Sequence, residues 1–285
     1  MSKQDTARRA FRRLHEHGCF VIPNPWDVGT ARYLRHLGFG ALATTSSGFA
    51  FSRGVPDTDG ALPLTAALEH IREIVDATEL PVNADFESGY ARAPEALARN
   101  VFACVATGVA GLSIDDATGE KRVPLFEIGL AVERIRAAKA AIVESGAEVL
   151  LTARAECHLV GLSRPLEESI RRLQAYSEAG ADVLYAPGLR DRHAIATLVQ
   201  SLAPRPVNVL VSANLGMRVI DLAELGVRRI SLGSALARTA WTSFMSAARA
   251  LADGGEFDAF DGIVSFPELN EFFRRDHAGR TAREF

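Results

Sequence analysis

"LAVERIRAAKAAIVESGAEVLLTAR", residues 130–154, decides the fold. A helical pattern runs up to Gly146, and a short apolar run follows at once, reaching Thr152 and Arg154. Glycine takes the left-handed conformation that closes a helix. The same passage from helix through glycine to apolar run recurs in "HLGFGALATT" (36–45), "ATGVAGLSIDD" (106–116), "EAGADVLYAP" (178–187) and "ELGVRRISLG" (224–233). The closing glycines are Gly38, Gly108, Gly146, Gly180 and Gly226. The apolar runs are too short for buried helices and suit strands covered on both faces.

Adding "FVIPN", "LPVNADF" and "RPVNVLV" brings the candidate strands to eight. Helical patterns such as "AALEHIREIVDA", "EALARNVFACVA" and "LEESIRRLQAYSEA" lie between them. Strand alternating with helix implies parallel strands joined by right-handed crossovers. Eight units in 285 residues predict an α/β fold, a (β/α)8 TIM barrel. The other candidate is a doubly wound open sheet, but no G-x-G-x-x-G follows an early strand to give it its usual dinucleotide role. The barrel also explains where the polar residues gather: Thr44 to Gly48, Asp85 to Gly89, Asp115 and Asp116, Arg154 to His158, and Asn208 with Ser212. All fall at predicted C-terminal strand ends, where barrels carry their chemistry.

Both ends of the chain read as helix. Residues 1–17 form a short amphipathic N-terminal helix, and about 234–285 form a C-terminal helical extension on a single barrel domain. In that extension Gly254 and Gly255 end one helix, and Ser265 caps the next, with Pro267 near its start. Phe266, Leu269, Phe272 and Phe273 would be buried either on a neighbouring subunit or on the same barrel.

Composition narrows the class. The chain is 48% hydrophobic and 24% charged, with net charge −3 and no long basic run, so no nucleic-acid partner is expected. No apolar run is long enough for a membrane span, and the basic N-terminus lacks the apolar core of a secretory signal. Cys19, Cys104 and Cys157 have no metal-ligand spacing, and their odd number suits reduced thiols in a cytoplasm.

"PVNADFESGYA" (81–91) poses the chemical question. Residues two apart in a strand share a face, so Asp85 and Glu87 are expected to converge. Two carboxylates together repel and resist desolvation, which calls for a cation between them. A pair of solvated turn acids is the plainer alternative.

Further motifs in order are "NPWDVGTARYL", "ALATTSSGFAFSRGVPD", "PVNADFESGYA", "GLSIDD" and "LTARAE". Together they resemble the isocitrate lyase and phosphoenolpyruvate mutase superfamily over about residues 20–240. The resemblance implies a Mg2+ ion, with Mn2+ as a substitute, that holds a 2-oxo acid and stabilises its enolate. It makes Asp85 the principal metal ligand. Glu87 matches the second acid of a D-x-D motif, Asp57 an outer acid, and Asp115 a position where relatives carry glutamate. Ser47 and Gly48 match a Ser-Gly pair whose hydroxyl and backbone N–H groups grip substrate, and Phe49 adjoins them. Arg154 matches an arginine that supports the group being cleaved. An internal ion pair with Glu156 is the alternative for Arg154, and plain packing is the alternative for Trp26 as a substrate wall. Asn208 completes the expected substrate contacts. The resemblance also implies a homodimer or homotetramer that exchanges its last barrel helix.

The sequence departs from that pattern twice. Lyases of the superfamily carry a K-K-C-G-H type loop after the fourth strand. Here the loop is "DDATGEKRVPLFEIG", with no cysteine and with only Glu120, Lys121 and Arg122 as reactive side chains. Cys104 reads as core, and Cys157 as a structural thiol near the mouth. After the sixth strand Pro187 stands where the lyases have a glutamate. Cleavage of a tricarboxylate becomes doubtful, and a small 2-oxo acid fits better. The candidates are a carbon–carbon lyase or decarboxylase, a C–P hydrolase or mutase acting on phosphonopyruvate, and a non-catalytic 2-oxo-acid binder.

Overall fold

Each glycine-led run folds as a strand. The computed structural model describes residues 2–58 and 60–281. Its elements begin with α1 (Lys3–Leu14), β1 (Phe20–Ile22), α2 (Val28–His36), β2 (Leu42–Ala43), α3 (Ser46–Ser52), α4 (Leu64–Ala77) and β3 (Val82–Asp85). There follow α5 (Pro94–Val105), β4 (Gly111–Asp115), α6 (Ile128–Glu144), β5 (Leu150–Arg154), α7 (Pro165–Glu178) and β6 (Val183–Tyr185). The series closes with α8 (Arg192–Leu202), β7 (Val207–Leu210), α9 (Val219–Glu224), β8 (Arg229–Ser231), α10 (Ala235–Gly254) and α11 (Phe266–Thr281).

The eight strands form one sheet in the order β1-β8-β7-β6-β5-β4-β3-β2, and every pair is parallel. The gap between β1 and β2 is spanned by a hydrogen bond from Ala43 N–H to the Pro23 carbonyl at 3.0 Å. Asn24 reinforces it, donating to the Thr44 carbonyl at 2.8 Å and accepting from the N–H groups of Leu232 and Gly233 at 2.9 Å each. One amide thereby ties the ends of three strands, and the sheet becomes a nearly closed (β/α)8 barrel. The expected helix-closing glycines all adopt positive φ, from 69° at Gly146 to 107° at Gly180.

Period-2 alternation sorts the strands. Ala84, Leu112, Ile114, Leu151, Ala153, Leu184, Val209 and Ile230 face outward into the apolar layer beneath the helices. Their neighbours face inward, and many are polar: Asn83, Ser113, Thr152, Asn208, Arg229 and Ser231 are all buried. α1 plugs the N-terminal end. Its Phe11 is fully buried with Ile22, Ala43 and Leu150, and Arg8 donates to the carbonyls of Val109 and Val105. His15 donates from Nδ1 to the Phe11 carbonyl at 2.8 Å and meets Arg229 Nη1 at 3.4 Å through Nε2. Burial, and then the Arg229 charge, press the His15 pKa down to about 3, so the ring is neutral and Nε2 can accept.

Chain contacts divide the molecule into two compact units after Leu236. The second unit holds most of α10, all of α11 and a short 3₁₀ turn, Asp258–Phe260, between them. Ser265 Oγ accepts from Glu268 N–H at 3.3 Å, the expected cap. Phe244, Phe257, Ile263 and Phe266 on this unit are exposed, Phe266 by 81%.

Candidate active site

Arg154, the last residue of β5, organises the mouth of the barrel. Its Nη1 donates to Asp85 Oδ1 at 2.6 Å, while Nε and Nη2 approach Glu156 Oε1 at 2.9 and 2.8 Å. The guanidinium lies 5.2 Å from the centre of the Tyr185 ring. Strand register explains the gathering, because Asp115 pairs with Arg154 and Arg154 with Tyr185 across β4, β5 and β6. Burial works against the Arg154 charge, but Glu156 and Asp85 outweigh it and keep the group protonated. Arg154 therefore makes the internal ion pair with Glu156, and it also reaches Asp85.

Asp85 is shaped from β2. Its Oδ2 accepts from the Ser46 hydroxyl at 3.0 Å and the Ser46 N–H at 3.2 Å, and its own N–H donates to Thr44 Oγ1 at 2.9 Å. The neighbouring acids are electrostatically strained. Asp115 is pushed well up by burial, then by Glu156, Asp116 and Asp85, with Arg154 opposing. Glu156 is raised by burial, again against Arg154. Asp57 lies at the solvent edge, raised by partial desolvation and by Asp85, with Arg154 and a Ser47 hydrogen bond opposing. Asp116 belongs to a different network. It is buried, accepting from Glu156 N–H at 2.9 Å, Tyr176 Oη at 2.6 Å and Arg172 Nη1 at 3.1 Å. Of the "DD" pair, only Asp115 faces the cluster.

The expected convergence of Asp85 and Glu87 needs correction. β3 stops at Asp85, and Glu87 takes a left-handed backbone with φ +49°, so the alternation of the pleat no longer applies. Glu87 Oε1 accepts from Tyr90 Oη at 3.1 Å. Asp85 and Glu87 still border one recess, together with Thr44, Ser46, His70 and Tyr90. Tyr90 is left-handed too, at φ +56°. This strained turn is pinned from behind. Arg134 on α6, buried with 1% exposure, donates to the carbonyls of Ser88, Ala91 and Arg92, and Asn100 donates to those of Gly89 and Tyr90. Burial pushes the Arg134 pKa down to about 10. Its guanidinium also lies 4.1 Å from the centre of the Phe126 ring, and nothing in the sequence separates this arginine from the surface arginine of the same helix.

Gly89 makes that turn possible. It has φ +75°, and a Cβ there would fall 2.0 Å from Leu97 Cδ1. Gly89→Ala should lower stability by about 2–5 kcal/mol, combining overpacking of ~1–3 with left-handed strain of ~1–2. Urea denaturation checks this, and an unchanged midpoint would show that the turn rearranges freely.

Two expected substrate contacts, Gly48 and Asn208, are engaged within the chain. Gly48 N–H donates to Thr45 Oγ1 at 3.2 Å as the cap of α3, so it is occupied within the chain. Phe49 is buried, its ring stacked on His70 at 3.9 Å and 5.1 Å from the Arg53 guanidinium, and it lines the same recess as Asp85 and Glu87. Asn208 is 1% exposed, accepting from Arg229 Nε at 2.8 Å and donating to Ser231 Oγ at 2.9 Å. It is the second residue of β7, and the inward residue nearer the mouth is Leu210. Ser47 remains at the site, 3.4 Å from Thr45 Oγ1 and bonded to Asp57. Trp26 sits half-buried just beyond β1, its carbonyl accepting from His70 Nε2 at 3.0 Å. Thr44, Ser46, Glu156 and Tyr185 belong to the site as well; their positions at strand ends were the available signal.

The loop after β4 is a short, tied hairpin. Ala117 and Leu125 form an antiparallel bridge, and Thr118 N–H donates to the Pro124 carbonyl at 3.0 Å. Glu120 is ion-paired with Arg92, whose guanidinium lies 5.5 Å from the Phe126 ring centre. Lys121 and Arg122 are exposed. Cys104 and Cys157 are fully buried, and burial raises the Cys157 thiol to about 11.

The donor set suits a hard divalent cation. Asp57, Asp85, Glu87 and Asp115 offer oxygen only, and three mutually repelling acids held near Arg154 gain from added positive charge. Among the described residues no three or more His, Cys, Asp or Glu side chains are grouped so that they could hold a metal ion. Among the described residues no helix is long and apolar enough to cross a membrane.

Comparison with known proteins adds a second line. The phosphoenolpyruvate phosphomutase family pattern matches residues 11–252. An uncharacterized protein of Mycobacterium tuberculosis is 35% identical over 86% of this chain and 90% of its own length. Oxaloacetate decarboxylase of Pseudomonas fluorescens is 31% identical over 80% of this chain and 78% of its own. Among solved structures, oxaloacetate acetylhydrolase with its product oxalate superposes with TM-score 0.84 at 28% identity, covering 99% of this chain and 98% of that one.

Proposed function

This chain belongs to the phosphoenolpyruvate phosphomutase family of the isocitrate lyase/PEP mutase superfamily, and on that premise we propose a divalent-metal-dependent carbon–carbon lyase acting on a small 2-oxo acid, decarboxylase-like in its chemistry. One observation carries the reading: acids crowd around Arg154 at the barrel mouth, while the β4 hairpin beside them carries no thiol.

Asp85 is the principal residue to hold Mg2+ or Mn2+, with Glu87, Asp57 and Asp115 acting on its waters. When bound, the ion polarises the 2-oxo group and neutralises the enolate charge. Arg154 binds the substrate carboxylate, oriented by Glu156 and the Tyr185 ring. The Ser47 hydroxyl supplies a donor toward the oxo acid, and donors aimed at developing charge are the largest catalytic contribution expected. Loss of CO2 from an oxaloacetate-like acid breaks the C3–C4 bond and leaves the electron pair in the enolate. A solvent proton then reaches C3, giving pyruvate. No general acid is needed to expel CO2, which suits a hairpin whose Glu120 is tied to Arg92. The exposure of Lys121 and Arg122 favours this over C–P chemistry, which needs cations around a phosphoryl group.

The test is product NMR on the protein with Mg2+ and a panel of oxaloacetate, phosphonopyruvate and other 2-oxo acids. Pyruvate and CO2 from oxaloacetate are expected. Phosphate release from phosphonopyruvate, or saturable binding of every acid without turnover, would replace the reading with a C–P enzyme or a binder.

The exposed aromatic and aliphatic surface of the second unit suits a homodimer or homotetramer. Light scattering should show one of these, and a monomer across a wide concentration range would exclude both. Cys19, Cys104 and Cys157 are all free thiols, which suits a reducing cytoplasm.

A further inference from the structure

Asp85 has both carboxylate oxygens engaged, and the two partners differ in kind. Ser46 serves Oδ2 with a neutral N–H and hydroxyl, which leave lone pairs to spare. Arg154 Nη1 brings a full positive charge to within 2.6 Å of Oδ1. The two side chains are only 16% and 20% exposed, so water screens the pair weakly. A divalent cation approaching Asp85 meets that guanidinium head-on. Arg154, however, is anchored elsewhere: Nε and Nη2 both hold Glu156 Oε1, and the planar group rests near Tyr185. Nη1 can therefore leave Asp85 while the rest of the guanidinium keeps its contacts.

We propose that Arg154 and a divalent cation compete for Asp85, so that cation binding turns the Nη1 edge of Arg154 into the receptor for the carboxylate of the 2-oxo acid. This rests on the assignment of Asp85 as metal ligand. Its consequence is coupling. The cation displaces Nη1, the incoming carboxylate restores the negative charge that Arg154 has lost, and each ligand tightens the other by the same factor. Glu156 is the positioning residue, because it keeps the displaced guanidinium at the mouth instead of letting it swing to solvent. The site thereby favours loading both ligands over loading the cation alone.

The experiment measures Mn2+ affinity from the EPR signal of the free ion. The full-length wild type, Arg154→Met and Arg154→Lys are compared, each with and without pyruvate. In the wild type, pyruvate should tighten Mn2+ binding by ~5–150-fold, the ordinary range for coupled sites. Arg154→Met should bind Mn2+ alone about tenfold more tightly than the wild type, with pyruvate coupling reduced to near unity. Arg154→Lys should fall between them, and it carries the test if the Met variant fails to fold by circular dichroism. A merely damaged site would bind Mn2+ more weakly, so the sign separates the role from a structural one. Wild-type Mn2+ binding that is unchanged or weakened in both variants overturns the competition and leaves the metal assignment standing. Absence of Mn2+ binding in wild type and variants alike overturns the metal assignment, and the competition with it.

Discussion

Asp85→Ala should abolish divalent-cation binding and lower turnover by ~10³-fold or more, with the barrel still folded. Charge stabilisation by a metal contributes several kcal/mol, and each ~1.4 kcal/mol is a factor of ten in rate. Folding should survive because Asp85 is the last residue of β3, at the mouth, and is not part of the apolar layer. Arg154, the partner it leaves behind, keeps two contacts to Glu156. Calorimetry with Mg2+ and steady-state kinetics on the same preparation decide the matter. Unchanged Mg2+ affinity would remove Asp85 from the site. Asp57→Ala should be milder, about 10–100-fold, as is usual for a group acting through a bound ligand. Asp57 lies at the solvent edge and reaches the cluster through Ser47.

Isocitrate and 2-methylisocitrate should be turned over poorly even at saturating Mg2+. Retro-aldol cleavage requires a base for the hydroxyl and an acid for the departing carbanion, and each group typically contributes ~10²–10⁴-fold. The β4 hairpin has no thiol, and Glu120 is held by Arg92. Cys157 is buried, with its pKa raised to about 11 by that burial, so it is protonated and screened from the mouth. Pro187 offers no carboxylate beyond β6. The proposed site would stabilise charge but lacks the groups to move these protons. Steady-state assays of both tricarboxylates supply the check. A kcat in the ordinary range of ~1–10³ s⁻¹ would show that another group moves the proton, and Glu120 would be the first to mutate.

Sequence and structure contributed to this picture at different levels. Short apolar runs, five of them led by helix-closing glycines, marked the eight strands, and their alternation with helices implied a shared direction. These are local properties, because each glycine needs positive φ wherever the helix ends, whatever lies across the barrel. The polar strand ends located the mouth in the same way, and placed Asp85, Asp115 and Arg154 there. What happens one residue past a strand is not local. Glu87 leaves the pleat because Arg134 and Asn100, from two helices, hold the carbonyls of the following turn. Asn208 was expected at the mouth, but the length of β7 leaves it two residues short, where Arg229 and Ser231 use its amide. The sequence by itself determined the barrel, its chemical end and the family, since strand periodicity and ordered motifs are written along the chain. Only the tertiary structure decided which acids share Arg154 and which serve the scaffold. Asp115 and Asp116 are adjacent with the same side chain, but Asp115 ends β4 among the acids near Arg154, whereas Asp116, one residue beyond, is bound by the buried Tyr176 and Arg172.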